Sequence, residues 1–209
     1  LMSVKVLTAR EAADLIPNGV NLATNGFIGA SFPEEIAIAI EQRFLETGAP
    51  NDLTLLFCAA QGDAKDKGLN HFAHDGMVRR GIGAHWGLAP KLGKMVAENK
   101  ILAYDFPQGA TTHMFRDSAA HKPFTITHVG LGTFVDPRLL GGKLNEMTRA
   151  SEDLVTLTEV DGKEYLMYKT HPVNFAILAG TYADEDGNVS VERAGIKGET
   201  LAVAQACKN

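Results

Sequence analysis

Cysteine is scarce in this chain: Cys58 and Cys207 are the only two in 209 residues. They are too few and too far apart in sequence for a disulfide framework or a zinc site. Cys58 sits in an apolar run and reads as a small buried hydrophobe. Long hydrophobic runs are also missing. None reaches the roughly 18 residues needed to span a bilayer, and no basic segment followed by an apolar one marks a secretory leader. The expected location is therefore cytoplasmic, without a membrane partner. Basic runs and interleaved aromatic stripes are absent and the formal net charge is −5, which argues against a general nucleic-acid binder.

Several catalytic signatures are lacking too. There is no Gly-x-Gly-x-x-Gly fingerprint and no Gly-x-Ser-x-Gly elbow. Gly141-Gly142-Lys143 is not a P-loop, because Pro137 occupies the first glycine position and Leu144 replaces the Ser/Thr. His71-Phe-Ala-His74 could place two rings on one helix face, but no second ligand pair accompanies it, and no metal is expected. His85 and Trp86 fall in an irregular stretch, residues 59–87, to which the pattern assigns no role.

What remains is ordinary in composition, 45% hydrophobic and 22% charged, with no repeat, linker or low-complexity segment. One domain over residues 1–209 is expected. Thr8-Ala-Arg-Glu11 is a capping box opening a short helix to residue 16. Residues 20–24 read as a strand. Ser31-Phe-Pro-Glu34 reads as a second capping box, followed by a helix whose apolar face carries Ile36, Ile40 and Phe44 and which ends at Gly48. Residues 53–58 and 101–106 are nearly continuous apolar runs, as parallel strands buried on both faces require. A helix is expected over 89–99 and another to about residue 121, with Thr111 and Thr112 as its caps. Residues 124–129 alternate as a strand. Asp161-Gly162 between residues 154–160 and 163–169 signals a two-residue hairpin. A strand over 174–180 and a helix from Glu199 complete the pattern. Strands alternating with helices give an α/β fold, a mostly parallel sheet flanked by helices with a small antiparallel hairpin.

Three loops of small residues could converge on an anionic ligand. Asn25-Gly26-Phe27-Ile28-Gly29-Ala30 lies between a strand and a helix. Pro107-Gln108-Gly109 follows the strand at 101–106; Pro107 stops the ladder, and Gln108 presents two donors and two acceptor lone pairs. The place is where open α/β sheets bind ligands, although a plain Pro-Gly turn fits the same residues. Residues 130–145 carry four glycines and one proline.

These three motifs together resemble family I coenzyme A transferases. Asn18-Gly19, Asn25-Gly26-Phe27 and Pro33 resemble the family's N-terminal signature, with Thr24, Asn25 and Ser31 departing from it. Pro107-Gln108-Gly109 is similar to its Pro-Gln-Gly turn. Gly130-Leu-Gly-Thr-Phe-Val-Asp-Pro-Arg138 with Gly141-Gly142-Lys-Leu-Asn145 resembles the single-chain short-chain members, the acetate and propionate CoA-transferases among them.

The resemblance covers nearly the whole chain but only the first, alpha-like, of the family's two halves. It implies movement of CoA between short-chain acids by a ping-pong route through a glutamyl-CoA thioester. It also implies that the nucleophilic glutamate lies outside this chain, in the second half, so no catalytic residue is assigned here. Val191-Glu192-Arg-Ala-Gly195 does not match the family's Glu-x-Gly context. By the same resemblance Asn25, Gly26, Phe27, Gly29, Gln61, Gln108 and Gly109 would contact substrate. CoA is then a substrate rather than a cofactor. The partners would be an acyl-CoA, a short-chain carboxylate, the second half or a partner subunit, and a second copy in a homo-oligomer. This chain alone would be inactive. Two other readings stay open: a sugar-phosphate isomerase-like enzyme, and a non-catalytic acyl-CoA- or phosphate-binding domain of the same fold.

Overall fold

The computed structural model describes residues 4–208. Five parallel strands form the main sheet: β1 (Asn21–Thr24), β2 (Leu53–Leu56), β3 (Val78–Gly83), β4 (Leu102–Asp105) and β8 (Phe175–Ile177), in the spatial order β4-β3-β2-β1-β8. Side chains alternate between its faces, as strand geometry requires. Leu53, Leu55 and Phe57 join one core with Leu22, Ile101 and Ala103; Leu56, Cys58, Tyr104 and Phe106 join the other. The first face is covered by α1 (Ala9–Asp14), α2 (Glu34–Thr47) and α3 (Pro90–Ala97). The second is covered by α4 (Gln108–Ala119), α6 (Thr200–Ala206) and a three-stranded antiparallel annex.

The annex has the order β5-β7-β6, from β5 (Phe124–Thr127), β6 (Val155–Val160) and β7 (Lys163–Lys169). The β6–β7 hairpin turns at Asp161-Gly162, both with positive φ, as the sequence predicts. A short hairpin, β9 (Tyr182–Ala183) with β10 (Val189–Ser190), and a four-residue helix, α5 (Glu146–Arg149), complete the described elements.

Three expectations need correction. The irregular stretch 59–87 contains β3, an interior strand between β2 and β4. Its Arg79-Arg80-Gly81 lacks the β-branched run of a buried strand, but the glycines are there for packing. A Cβ on Gly81 would lie 2.4 Å from the Trp86 ring, and one on Gly83 2.3 Å from the Phe57 ring. Ser31 does not cap α2. The helix follows Pro33, Ser31 donates to the Ile196 carbonyl (2.5 Å), and the Glu34 carboxylate accepts from Gly68 N–H (3.0 Å). Thr111 and Thr112 lie inside α4, which begins at Gln108, four residues before a Thr111 cap would start it. The Thr111 hydroxyl donates to the Cys58 and Gln108 carbonyls instead. The capping box at Thr8–Glu11 and the left-handed Gly48 at the end of α2 are both present.

His71 and His74 are engaged by acids. His71 Nδ1 lies 2.5 Å from Glu41 and Nε2 2.8 Å from Glu34, and His74 Nε2 lies 2.7 Å from Glu41. Together they fasten the 3₁₀ segment Gly68–Phe72 to α2.

His171, just ahead of β8, is buried, and its Nδ1 has no hydrogen-bond partner. Burial, reinforced by the charges of Arg80 and Lys169 and opposed by Glu152, pushes its pKa down to about 4. Unfolded, the ring takes a proton below about 6.5. Between those values the unfolded state binds more protons, so stability falls as pH drops from 6.5 to 4, by at most about 1.4 kcal/mol per pH unit. Denaturant melts across that window should show this slope, and His171→Leu should flatten it.

Candidate functional site

The carboxyl edge of the parallel sheet carries the site. At the end of β4, Asp105 N–H donates to Gly142 O (2.8 Å) and Phe106 N–H to Gly83 O (2.8 Å). Pro107 then ends the ladder and α4 starts at Gln108. The Gln108 side chain is exposed and has no hydrogen-bond partner among the described residues. The first-turn amides of Gln108 and Gly109 precede the helix's own bonding, which begins with Ala110 and Thr111 donating to Pro107 O (2.9 and 3.0 Å). An unpaired amide side chain and the positive end of a 12-residue helix therefore coincide.

They open onto a cleft of about 500 Å³. On one side stand Ala84, His85, Asp105, Phe106, Pro107 and Gln108. Opposite is the loop wall of Val129, Gly130, Thr133, Phe134 and Val135. His85 has φ 55°, and its N–H donates to Asp105 Oδ1 (3.1 Å). Burial raises the Asp105 carboxyl above its ordinary range, and the His85 N–H partly offsets this.

The opposite wall is shaped from behind. Buried Asp136 accepts from the Gly132 and Arg138 amides (2.9 and 3.0 Å) and from Arg138 Nε and NH2 (3.0 and 2.8 Å). The Arg138 guanidinium holds the Asp136 carboxyl well below the usual range. Tyr168 of β7 donates to Val129 O (2.6 Å), and a Cβ on Gly130 would lie 2.4 Å from that hydroxyl.

A second group follows β1. Gly26 has φ 128°, and a Cβ there would sit 2.7 Å from Ala30 O. Phe27 and Ala30 exchange two backbone hydrogen bonds (3.0 Å each), leaving Ile28 and Gly29 exposed at the tip. Ile28 has φ 58°, an uncommon conformation for a β-branched residue.

Gln61 is fully buried beneath this hairpin. It accepts from the Thr24 hydroxyl (2.6 Å) and donates to Ala59 O (2.5 Å) and Gly26 O (3.3 Å), while Gly62 N–H reaches Ile28 O (2.8 Å). Asn25 is buried too. It donates to Lys197 O (3.2 Å) and the Thr200 hydroxyl (2.5 Å) and accepts from Glu199 N–H (3.1 Å). Glu199 in turn accepts from the Thr112 hydroxyl of α4 (2.8 Å). Nearby, burial pushes the Cys58 thiol up, and the Glu199 charge adds to the effect.

The structure thus brings Asn25, Gly26, Phe27, Gly29, Gln61, Gln108 and Gly109 to one edge of the sheet. Asn25 is tied to α4 through Glu199 and Thr112. The cleft itself, however, is lined by Gln108 and not by the 25–30 hairpin or Gln61. The side chains of Asn25 and Gln61 are bonded within the protein, where they fix the loops. Sequence reasoning missed Glu199, His85 and Asp105, and it read residues 130–145 as a glycine-rich loop without placing it across from Gln108. Asp105 had a local signal, as the polar end of an apolar strand. Glu199 had none, because its partners lie 174 and 87 residues away.

The carboxyl edge of this parallel α/β sheet thus offers a helix start, a free carboxamide and a mostly apolar cleft, an arrangement able to take an oxygen-bearing ligand with an apolar part. The chain belongs to the coenzyme A transferase family, whose model, Coenzyme A transferase, matches residues 6–208. It is 45% identical over 205 residues to caffeate CoA-transferase of Acetobacterium woodii, covering 98% of this chain and 39% of that protein. It is 27% identical over 191 residues to acetate CoA-transferase subunit alpha of Escherichia coli K12, covering 91% of this chain and 76% of that subunit. The solved acyl-CoA transferase YdiF of Escherichia coli O157:H7, a thioester complex with CoA, superposes with TM-score 0.94 at 38% identity, over 98% of this chain and 40% of that one. The chain therefore spans about two fifths of the caffeate enzyme and of YdiF.

Gly26→Ala should open the Phe27–Ala30 hairpin and cost about 1–3 kcal/mol through overpacking at a strained φ. Hydrogen exchange at the Phe27 and Ala30 amides should speed up. Gly29→Ala, where a Cβ meets nothing within 4 Å, is the control and should leave both amides protected.

Proposed function

We propose that this chain is the first half of an acyl-CoA:carboxylate CoA-transferase and that its role is to bind and orient the reacting carbonyl. The observation that carries this reading is the unpartnered Gln108 amide at the start of α4, at the mouth of the cleft. No glutamate is among the residues lining that cleft. The reading puts the nucleophile, as the family resemblance implies, in a second half, on the same polypeptide or on a partner subunit.

In this reaction a glutamate carboxylate attacks the thioester carbonyl carbon, the C–S bond breaks and CoA leaves as thiolate, giving an acyl-glutamyl anhydride. The thiolate then attacks the glutamyl carbonyl, releasing the first acid and leaving glutamyl-CoA. The acceptor carboxylate attacks that thioester, and the returning thiolate takes its acyl group and frees the glutamate. Every tetrahedral step places negative charge on a carbonyl oxygen. Gln108 Nε2 and the first amides of α4 are donors that can meet it without reorganising. Asn25, Gln61 and Glu199 hold the neighbouring loops still and take no part in bond making. CoA is a substrate, and no cofactor is invoked.

Among the described residues no helix is long and apolar enough to cross a membrane. The proposed setting is the cytoplasm, as a homo-oligomer of complete enzymes.

In the complete enzyme, Gln108→Ala should lower kcat by about 10²-fold with KM nearly unchanged, as expected for a donor used in the transition state. A raised KM with unchanged kcat would mean that the amide only binds substrate. The isolated 209-residue chain, given acetyl-CoA and propionate, should form no propionyl-CoA. Turnover there, or a glutamyl-CoA adduct on any of its glutamates, would place the nucleophile inside it.

A further inference from the structure

Away from the cleft, Glu34 and Glu41 of α2 and His71 and His74 beside them form one hydrogen-bonded cluster. His71 is its centre. Its side chain is 13% exposed, and both ring nitrogens meet a carboxylate, Nδ1 at Glu41 Oε2 (2.5 Å) and Nε2 at Glu34 Oε1 (2.8 Å). His74 Nε2 meets the other Glu41 oxygen (2.7 Å). An ionised carboxylate only accepts, so these three contacts need three protons, whereas two neutral imidazoles carry two. The further proton falls to His71, the ring with two contacts. Burial opposes the charge on Glu41, but hydrogen bonds from His74 and His71 outweigh it and hold that carboxyl below its ordinary range. The neighbouring charges are engaged elsewhere. On α3, Lys91 pairs with Asp66 (2.9 Å) and Lys94 with Glu98 (3.8 Å). Arg43 of α2 turns to Asp14 (3.4 Å), and Asp75 pairs with Lys100 (3.0 Å). Among the described residues no lysine or arginine pairs with Glu34 or Glu41.

The cluster closes a ring of contacts that runs through the sheet edge. Glu34 Oε2 accepts from Gly68 N–H (3.0 Å), and Leu69 N–H donates to Gln61 O (2.9 Å). Gln61 and Gly62 bond the 25–30 hairpin, and the chain passes from that hairpin through Pro33 into α2, which carries both glutamates. Leu69 and Phe72 are fully buried and keep the segment in the core whatever the charge. The cluster governs how tightly its polar side is held to α2.

We propose that the second proton of His71 is a latch on this edge of the sheet: with it, residues 61–72 are locked to α2 and the 25–30 hairpin is held; without it, one carboxylate faces a ring lone pair, that link parts and the hairpin loosens. This goes beyond the CoA-transferase reading and does not depend on it. The latch is closed at the acid end and opens as pH rises. His171 acts in the opposite direction, so it cannot mimic the effect. His74 has one contact and keeps it as a neutral tautomer.

The test uses the complete enzyme between about pH 5 and 9, spanning the range in which imidazoles change charge. The His71 ring is followed by NMR with labelled histidine and assigned by its loss in His71→Gln. Amide hydrogen exchange, corrected for its intrinsic rise with pH, is read in peptides covering residues 61–72 and 25–30, with the β6–β7 hairpin as the internal reference. Exchange in both peptides should rise about tenfold relative to the reference, with the midpoint of the ring titration. Tenfold is the lower end for a hydrogen bond to a charged group, as befits a partly buried one. His71→Gln carries no charge and reaches one acid at most, so its exchange should be fast at every pH. Glu34→Gln should do the reverse. Its amide N–H supplies the missing proton to Nε2 of a neutral His71, and its oxygen still accepts from Gly68, so both peptides should stay protected throughout. A ring that keeps its second proton across the range, exchange that stays flat while the ring titrates, or a Glu34→Gln variant that opens with pH as the wild type does would each overturn the latch.

Discussion

Two buried carboxamides hold the carboxyl edge of the sheet together. Strands end there and their backbones must bend away, leaving polar groups that water cannot reach. Gln61 meets this need under the 25–30 hairpin with one acceptor and two donors, joining the end of β1 to the segment after β2. Asn25 does the same toward α6, accepting from one backbone amide and donating to a carbonyl and a hydroxyl. An unmet buried polar group costs about 1–3 kcal/mol, so either amide replaced by an apolar side chain would strand several partners at once. With these loops fixed, α4 is secured by Thr111 to the end of β2 and by Thr112 to Glu199, and Gln108 is left as the free carboxamide.

That division explains how much of the site was legible. Gln108 stood out because its setting is local: a strand, a proline, an amide and a glycine in a row. Gln61 and Asn25 were read to the correct edge of the sheet, but nothing in their neighbourhoods revealed inward-turned side chains. That direction depends on Thr24, Glu199 and Thr200, far away in sequence. The wall of residues 129–135 was recognised as a glycine-rich bend. Its position opposite Gln108 follows from the Tyr104–Lys143 bridge and from Leu144 N–H bonding Ala103 O (3.0 Å), long-range pairings with no sequence signal.

The fold was more readable because its strongest signals are short-range. Apolar runs located β1, β2, β4 and β8, Asp161-Gly162 located the annex hairpin, and Gly48 located the end of α2. β3 escaped because strand composition reports side-chain packing more than backbone preference. Here the packing is supplied by Trp86 and Phe57 lying against bare glycines. The helix starts at Pro33 and Pro107 escaped for a related reason. Each first turn is anchored by tertiary contacts, so the capping side chains assumed from sequence were used elsewhere.

The two sides of the cleft belong to different sheets. Gln108 and His85 ride on the parallel sheet, whereas the facing loop is fastened to the annex by Tyr168 and by Arg138, which bridges Asp136 to Glu164 on β7 (3.0 Å). The width of the opening is therefore set where the two sheets meet, by Phe106 packed edge-on against Tyr168 and by the Asp105–Gly142 and Leu144–Ala103 hydrogen bonds that tie the loop's far end to β4. Substitutions on the back of the annex can reset that width while every residue that touches ligand stays the same. A lineage could change the size of what it accepts without altering the machinery at the sheet edge.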